Sequence, residues 1–299
     1  MSLRDALRLL STHLVVALVA LVVIGGVTRV MEAGLACPDW PLCYGVLLPG
    51  KQMNLQVFLE WFHRLDAFLV GLALLVLFIF SVLRRHLLPL WLPWLALLAV
   101  GLVALQGALG ALTVTGLLSA STVTAHLATA LILVLLISGV DQCLAPVQSP
   151  SALPRWWLAV VSGTTLVLLG QCILGGIMAS QWAVDHCMAT GDRCEWLLRH
   201  RQMAPVAALS VAFLAVSSFA IPRLDGRVRG LSLSAAALVA LQVGLGLLTL
   251  RWQLERPALT VAHQLVAALL MAHLGAIAGR TLSDWLQRPV SPSLEVSCG

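Results

Sequence analysis

Four histidines lie at matching places in two similar halves of this chain. They are His63 and His126 in the first half, and His200 and His263 in the second. His63 and His200 are 137 residues apart, and so are His126 and His263. Ionisable residues are unfavourable inside apolar helices and usually serve a function there. Because neutral imidazole is a common metal ligand, four histidines in register predict two equivalent metal or haem sites.

An acidic residue accompanies only the first pair. Glu60 precedes His63 by three residues, so both side chains share one face of a helix. A carboxylate there could be a general base, stabilise positive charge or orient a metal ligand; it could equally be an exposed acid favoured at a helix N-terminus. In the second half Leu197 has the equivalent position relative to His200, and Glu195 is out of register. The sequence therefore predicts a chemical site in the first half and an electron carrier in the second.

Arginines follow two of the histidines directly, Arg64 after His63 and Arg201 after His200. A guanidinium at a helix end suits the propionate carboxylates of a haem, which it can bind bidentately. The alternative is that each arginine extends toward lipid phosphates. Repetition beside both histidines favours the propionates, and Arg29 is a third candidate for the same role.

Two loops each carry a pair of cysteines. Cys37 and Cys43 enclose Pro-Asp-Trp-Pro-Leu, and Cys187 and Cys194 enclose Met-Ala-Thr-Gly-Asp-Arg. Neither spacing is that of a Cys-x-x-Cys zinc site or haem attachment motif. Both loops are expected on the outer side of a membrane, where disulfides persist. Structural disulfides are the first interpretation, and a redox-active pair in the first loop is the alternative.

The elements that carry these residues must cross a membrane. The chain has 299 residues, of which 60% are hydrophobic and only 10% charged, whereas about a quarter of the residues of a soluble domain are charged. Each apolar run is close to the ~20 residues that cross a bilayer as a helix. The runs cover residues 14–31, 62–83, 91–117, 121–140, 156–180, 202–221, 231–250 and 258–279.

The second half repeats the first in the same orientation. The segment from Leu105-Gln106 to His126 resembles the segment from Leu241-Gln242 to His263, and four crossings per unit make a parallel repeat. We expect an all-α integral membrane protein with eight transmembrane helices, arranged as two pseudo-symmetric four-helix bundles. The predicted divisions are an N-terminal bundle (1–144), a connecting loop (145–155) and a C-terminal bundle (156–299). Paired glycines are expected to allow close helix approach; they are Gly25, Gly26, Gly107, Gly110, Gly175, Gly176, Gly244 and Gly246.

Both termini are expected in the cytoplasm of a bacterial cell. An even number of crossings places them on one side of the membrane. With the N-terminus inside, the inner segments hold ten of the 18 basic residues, a mild bias in the direction of the positive-inside rule. The net charge of +5 then reflects membrane topology and gives no reason to expect nucleic acid as a partner.

In combination, these motifs resemble the haem A synthase family over nearly the whole chain. The motifs are Gly25-Gly26-Val27-Thr28-Arg29, the Cys37 to Cys43 loop, Glu60-x-x-His63-Arg64, Thr124-Ala125-His126, His200-Arg201 and Val261-Ala262-His263. The resemblance implies a bacterial inner-membrane enzyme that converts haem O into haem A for terminal oxidases. The paired cysteines are similar to those of the bacterial members with cysteines in both outer loops.

The same resemblance implies roles for the two halves. His200 and His263 would hold a permanent haem b, and the His63 and His126 side would receive haem O. Glu60 matches the catalytically important acid of the family. The reaction implied is the oxidation of one porphyrin methyl group to a formyl group by successive hydroxylations, with oxygen from water. An electron acceptor and a haem O-producing enzyme would be partners.

Two other classes of protein remain alternatives. A dihaem b-type electron-transfer protein shares the histidine pairs, but it gives no reason for an acid in one half only. A transporter built on a parallel repeat commonly has broken helices and polar residues near the middle of the membrane. Here the polar residues gather toward one face, which disfavours transport.

Overall fold

The chain is described by a computed structural model over residues 2–146, 153–178, 180, 194–222, 224–252 and 254–286. Within these ranges eight helices are long and apolar enough to cross a membrane, and no β-strand is present. This confirms the predicted all-α membrane protein with eight transmembrane helices. The helices are α1 (Leu3–Val30), α2 (Leu55–Leu83), α3 (Leu92–Thr115), α4 (Ala120–Leu144), α5 (Arg155–Met178), α6 (Glu195–Ser217), α7 (Gly226–Arg251) and α8 (Pro257–Leu286).

Most of the helices extend beyond the apolar runs, and side-chain caps mark the start of several of them. The side chain of Ser2 accepts a hydrogen bond from the Asp5 N–H at the start of α1, and Asn54 accepts one from the Val57 N–H at the start of α2. The largest difference is in α1, which begins at Leu3 and not near residue 14, and α6 begins at Glu195 although its apolar run begins at residue 202. His200 therefore lies in the second turn of α6 and not just before it.

The two halves make equivalent contacts. Within each half, the first helix packs on the second and the fourth, and the third packs on both of its sequence neighbours. Between the halves, α1 packs on α8 as α5 packs on α4, and α4 packs on α8. Such a set of contacts is expected when two bundles of the same orientation are related by an axis that passes between α4 and α8. The boundary at 145–155 stays a prediction, because residues 147–152 lie outside the described part.

The contact between α4 and α8 is the most extensive helix pair among the described residues. A Cβ on Gly275 would lie 2.3 Å from the Leu135 carbonyl oxygen, and one on Gly279 would lie 2.2 Å from the Gly139 carbonyl oxygen. The Ser138 hydroxyl donates a 2.6 Å hydrogen bond to a carbonyl oxygen of α8. The two helix backbones therefore approach so closely that only glycine fits between them.

A polar cluster fastens the opposite end of the bundles from the histidines. The side chain of Arg280 is 1% exposed and forms a 2.9 Å ion pair with Asp225. It also donates a 3.0 Å hydrogen bond to the Pro146 carbonyl oxygen, just beyond the end of α4. On α1, Thr12 donates to the carboxylate of Asp141 at 2.6 Å. These pairs satisfy charges that would otherwise be unfavourable at this depth.

Candidate functional site

The first pair of histidines lies inside the N-terminal bundle. His63 is in the third turn of α2 and His126 in the second turn of α4. Both rings are partly buried, and they are close enough to interact electrostatically. The Nδ1 atoms of both rings are buried and have no hydrogen-bond partner among the described residues. A buried ring nitrogen without a partner is unfavourable, and a ligand would satisfy it.

The second pair has the same arrangement in the C-terminal bundle. His200 on α6 and His263 on α8 interact electrostatically with each other. The structure thus brings His63 together with His126, and His200 together with His263. All four lie within the first third of an even-numbered helix, at the same end of the protein.

Each of the four imidazoles faces a glycine on the preceding helix. The distances from a Cβ built on the glycine to the ring Cε1 are 3.0 Å for Gly25 and His63, 3.7 Å for Gly110 and His126, 3.1 Å for Gly175 and His200, and 3.1 Å for Gly246 and His263. A larger side chain at three of these positions would push the ring aside. These glycines therefore make room for imidazoles, a role that differs from the helix contact expected of them.

The residues fit two haem groups better than an ion with a complete shell of protein ligands. Within the described ranges, no group of three His, Cys, Asp or Glu side chains could hold a metal ion. Zinc needs three or four protein ligands, whereas haem iron needs only one or two axial ones. In the first half His63 and His126, each with a buried and unpartnered Nδ1, are the residues that would hold such a group.

Glu60 is buried beside the first pair and is held from two sides. It is 4% exposed. Its Oε2 accepts a 2.7 Å hydrogen bond from the backbone N–H of Cys37, and its Oε1 lies 2.5 Å from Nη2 of Arg64. Because both oxygens are engaged, Glu60 presents a fixed negative charge one turn from His63. It is not the exposed acid that was the alternative interpretation.

Arg64 binds the loop between α1 and α2, a contact that the sequence did not predict. Its Nη1 donates 2.6 Å hydrogen bonds to the carbonyl oxygens of Asp39 and Leu42, and its Nη2 donates to that of Cys37 at 3.3 Å. With the ion pair to Glu60, these bonds hold the loop over the end of the first bundle. A role of Arg64 in binding a propionate stays a prediction.

The loop itself is closed by a disulfide between Cys37 and Cys43. Both cysteines are buried against the first turn of α2, at Val57. Within the loop, the backbone N–H groups of Gly45 and Tyr44 donate to the Asp39 carboxylate at 2.7 and 2.6 Å. These bonds, that of Gly45 first, hold the pKa of Asp39 below its usual value. The disulfide and the turn together fix the Cys37 N–H that binds Glu60.

The second half has no counterpart of this buried acid within the described residues. Glu195 forms a 2.5 Å ion pair with Arg199, but the two side chains are 66% and 53% exposed. Leu197, at the position equivalent to Glu60, is partly buried. The two halves therefore differ as the sequence predicts. The first has a buried carboxylate, and the second has an apolar side chain at the equivalent position.

The structure ties the other predicted site residues less directly to the histidine pairs. Arg29 lies in the last turn of α1, one turn beyond Gly25 and on the same face, and is partly buried. Arg201 is exposed. Cys194 caps the start of α6 and is disulfide-bonded, whereas Cys187, its predicted partner, lies outside the described residues.

Glutamines beside the histidines were missed by the sequence analysis. Gln171 and Gln242 each lie one turn before a ring-facing glycine and contact a ring nitrogen of His200 or His263 at 3.2 Å. The sequence does carry a signal for these glutamines, a Gln-x-x-x-Gly spacing that occurs three times, at Gln106, Gln171 and Gln242.

Known proteins share this organisation of sequence. A family model described as COX15-CtaA, cytochrome oxidase assembly protein, matches residues 8–274. The "Heme A synthase" of Shewanella oneidensis is 32% identical, with 86% of this chain and 91% of that protein covered. Those of Sphingopyxis alaskensis and Rhizorhabdus wittichii are 29% and 31% identical and cover 86% and 85% of this chain. The chain belongs to the COX15-CtaA family of cytochrome oxidase assembly proteins.

Proposed function

We propose that this chain is a haem A synthase, an oxidoreductase that oxidises a methyl group of haem O to the formyl group of haem A. One observation carries the proposal: two duplicated imidazole pairs differ by a single buried acid, Glu60, beside the first pair. The names of the relatives, which are haem A synthases, agree with it. An electron-transfer protein would need both pairs but not the acid.

The division of labour follows from this asymmetry. We assign haem O to the side of His63 and His126, and a resident haem b to His200 and His263. Haem b would supply a one-electron carrier between the substrate and an electron acceptor. Bis-histidine ligation leaves no open iron position for dioxygen, which favours water as the source of oxygen. Each hydroxylation then adds one oxygen atom and releases two electrons and two protons, and loss of water from the second product leaves the aldehyde.

Glu60 has the chemistry that such a reaction requires. Removal of electrons from the porphyrin rim builds positive charge at the methyl carbon, and a fixed carboxylate would stabilise that charge. The same carboxylate could accept the proton of an attacking water. Its bonds to Arg64 and to the Cys37 N–H hold it in one orientation.

The surroundings of the enzyme follow from the same proposal. We place it in the inner membrane of a bacterial cell, with both termini in the cytoplasm and the histidine end facing outward. A haem O-producing enzyme would supply its substrate through the bilayer, and terminal oxidases would receive haem A. A dihaem b-type electron-transfer protein remains the second candidate, since the two imidazole pairs alone would serve it.

Pigment extraction from histidine variants tests the proposal. The parent protein is expected to yield haem b together with haem O or haem A. His63→Ala and His126→Ala should lose haem O and haem A but keep haem b, whereas His200→Ala and His263→Ala should lose haem b. His273→Ala is the matched control on α8, because the His273 Nδ1 already contacts the Leu269 carbonyl oxygen at 2.8 Å. Haem b as the sole pigment of a fully loaded parent protein would instead support the electron carrier.

Two variants of α7 test whether a glycine is needed to make room for the His263 ring. Gly246→Ala places a methyl group 3.1 Å from the His263 ring, and the displaced imidazole should lower haem b content by about tenfold. Gly244→Ala lies two residues away on α7 with nothing within 4 Å, and should keep the full content. The measurement is the haem b absorbance per polypeptide of purified protein. Equal haem content in the two variants would contradict the described ring position.

A further inference from the structure

The imidazoles of the second half are hydrogen-bonded by glutamines, and those of the first half are not. Gln171 on α5 contacts His200 through Nε2 and Nδ1 at 3.2 Å, and also donates to the His200 carbonyl oxygen at 3.0 Å. Gln242 on α7 contacts Nε2 of His263 at 3.2 Å. In both cases the amide meets one ring nitrogen, and the other, Nε2 of His200 or Nδ1 of His263, has no hydrogen bond among the described residues.

The equivalent positions of the first half have different contacts. Gln106 on α3 donates to the backbone carbonyl oxygen of His126 at 2.9 Å and to the hydroxyl of Thr129, but not to the ring. On α1, the residue one turn before Gly25 is Leu21, which has no hydrogen-bonding group. Neither ring of this half has a side-chain hydrogen-bond partner among the described residues.

We propose that Gln171 and Gln242 are positioning residues that make the C-terminal pair a site of permanent haem retention. Leu21 and the amide of Gln106, which bonds the His126 carbonyl oxygen and not the ring, leave the N-terminal pair free to exchange haem. The inference rests on the proposed function in one respect, that a substrate haem must enter and leave the first half. It concerns residues to which that function assigns no role.

The chemistry of imidazole ligands explains the retention. When one nitrogen of a neutral imidazole binds iron, the other carries the proton and needs an acceptor. The Oε1 atoms of Gln171 and Gln242 are buried and have no partner among the described residues. Rotation of the Gln242 amide would bring its oxygen to the ring nitrogen of His263, whereas Gln171 would have to move Oε1 to Nδ1 of His200 while Nε2 keeps its bond to the His200 carbonyl oxygen. The new bond would fix each ring and raise its basicity. Such hydrogen bonds to a ligating histidine typically change metal affinity by about 10- to 100-fold.

Release of haem b to apomyoglobin tests the proposal without turnover. Gln171→Leu and Gln242→Leu introduce the residue type found at position 21, and each should speed the release of haem b by about tenfold or more. The low-spin ferric EPR signal of haem b should shift in both. Gln106→Leu is the matched control in the other half and should change neither measurement. Unchanged release and EPR in the first two variants, or equal changes in the control, would overturn the proposal.

Two further variants separate a positioning role from lost packing. Gln171→Glu keeps a ring acceptor and should retain haem b, with a lower reduction midpoint potential than the parent. Leu21→Gln adds an amide beside His63 and should slow the release of haem O from protein loaded with it. Haem b loss from Gln171→Glu as fast as from Gln171→Leu, or unchanged haem O release from Leu21→Gln, would count against the inference. A protein that forms no haem A would refute the proposed function, yet would leave the haem b release rates as a valid test.

Discussion

Replacing Glu60 with glutamine is expected to lower haem A formation by about 10²- to 10⁴-fold while haem b stays bound. Glutamine has the same shape, and its carbonyl oxygen can still accept from the Cys37 N–H. The negative charge, the ability to accept a proton and the bond to Arg64 are lost, because Glu60 uses two acceptor oxygens and glutamine has one. Arg64 keeps the three loop carbonyl oxygens that it already binds, so the loop should stay in place. The measurement is the ratio of haem A to haem O in extracted pigment.

The chain offers a matched control for this change. Glu195 and Arg199 form an ion pair of the same spacing and the same 2.5 Å distance as Glu60 and Arg64, but at the surface of the second half. Exposed pairs contribute little, so Glu195→Gln should leave both haem ratio and stability unchanged. Haem A formation by Glu60→Gln at the parent rate would remove the catalytic role of the acid. Loss of haem b from that variant would point to a structural role instead.

The composition and the histidine register predicted most of the architecture. Eight apolar runs and a repeat spacing of 137 residues are long-range regularities. They predict the number and order of the helices even where the predicted helix ends are wrong by several residues. Those errors did occur. The apolar run of α6 begins near residue 202, after Arg199, His200 and Arg201, whereas the helix itself begins at Glu195. The polar ends of membrane helices continue into the headgroup region.

The contacts around Glu60 could not be read from the sequence. The spacing of Glu60 and His63 placed them on one helix face, but the partner atoms on the loop are backbone groups, which carry no sequence signal. The carbonyl oxygens that bind Arg64 belong to residues whose side chains point elsewhere. A sequence pattern therefore indicates which side chains meet on a helix, and not which loop closes over them.

The glycines also show what a sequence pattern does not predict, in this case which neighbouring group each of them contacts. Eight glycines are expected at helix contacts, and two of them confirm this: Gly26 packs on Gln264 of α8, and Gly176 packs on Thr124 of α4. The other six differ: Gly25, Gly110, Gly175 and Gly246 face imidazoles, and Gly107 and Gly244 have nothing within 4 Å. The closest backbone approach instead uses Gly139 on α4 and the Gly275-Ala-Ile-Ala-Gly279 segment of α8. That segment has the small-xxx-small spacing typical of helix pairs in membranes, so the signal was present but was not assigned.

The interface between the halves depends on this segment, and Gly279→Ala is expected to destabilise the protein by about 3 kcal/mol or more. Alanine normally stabilises a helix by about 1 kcal/mol relative to glycine. Here the added methyl group would lie 2.2 Å from the Gly139 carbonyl oxygen and 2.7 Å from its Cα. Both are backbone atoms and cannot turn away as a flexible side chain could. The helices must separate, and the hydrogen bond from Cys143 Sγ to the Gly279 carbonyl oxygen would be lost with them.

Thermal unfolding in detergent, followed by circular dichroism, measures this effect. Gly170→Ala on α5 is the control, because a Cβ there meets nothing within 4 Å and should leave stability unchanged or raise it by about 1 kcal/mol. Since α4 carries His126 and α8 carries His263, separation of the two helices should lower haem content in both halves at once. A variant with a single disturbed ring, such as Gly246→Ala, would lower it in one half only. Equal unfolding temperatures for Gly279→Ala and Gly170→Ala would show that α4 and α8 do not meet as closely as described.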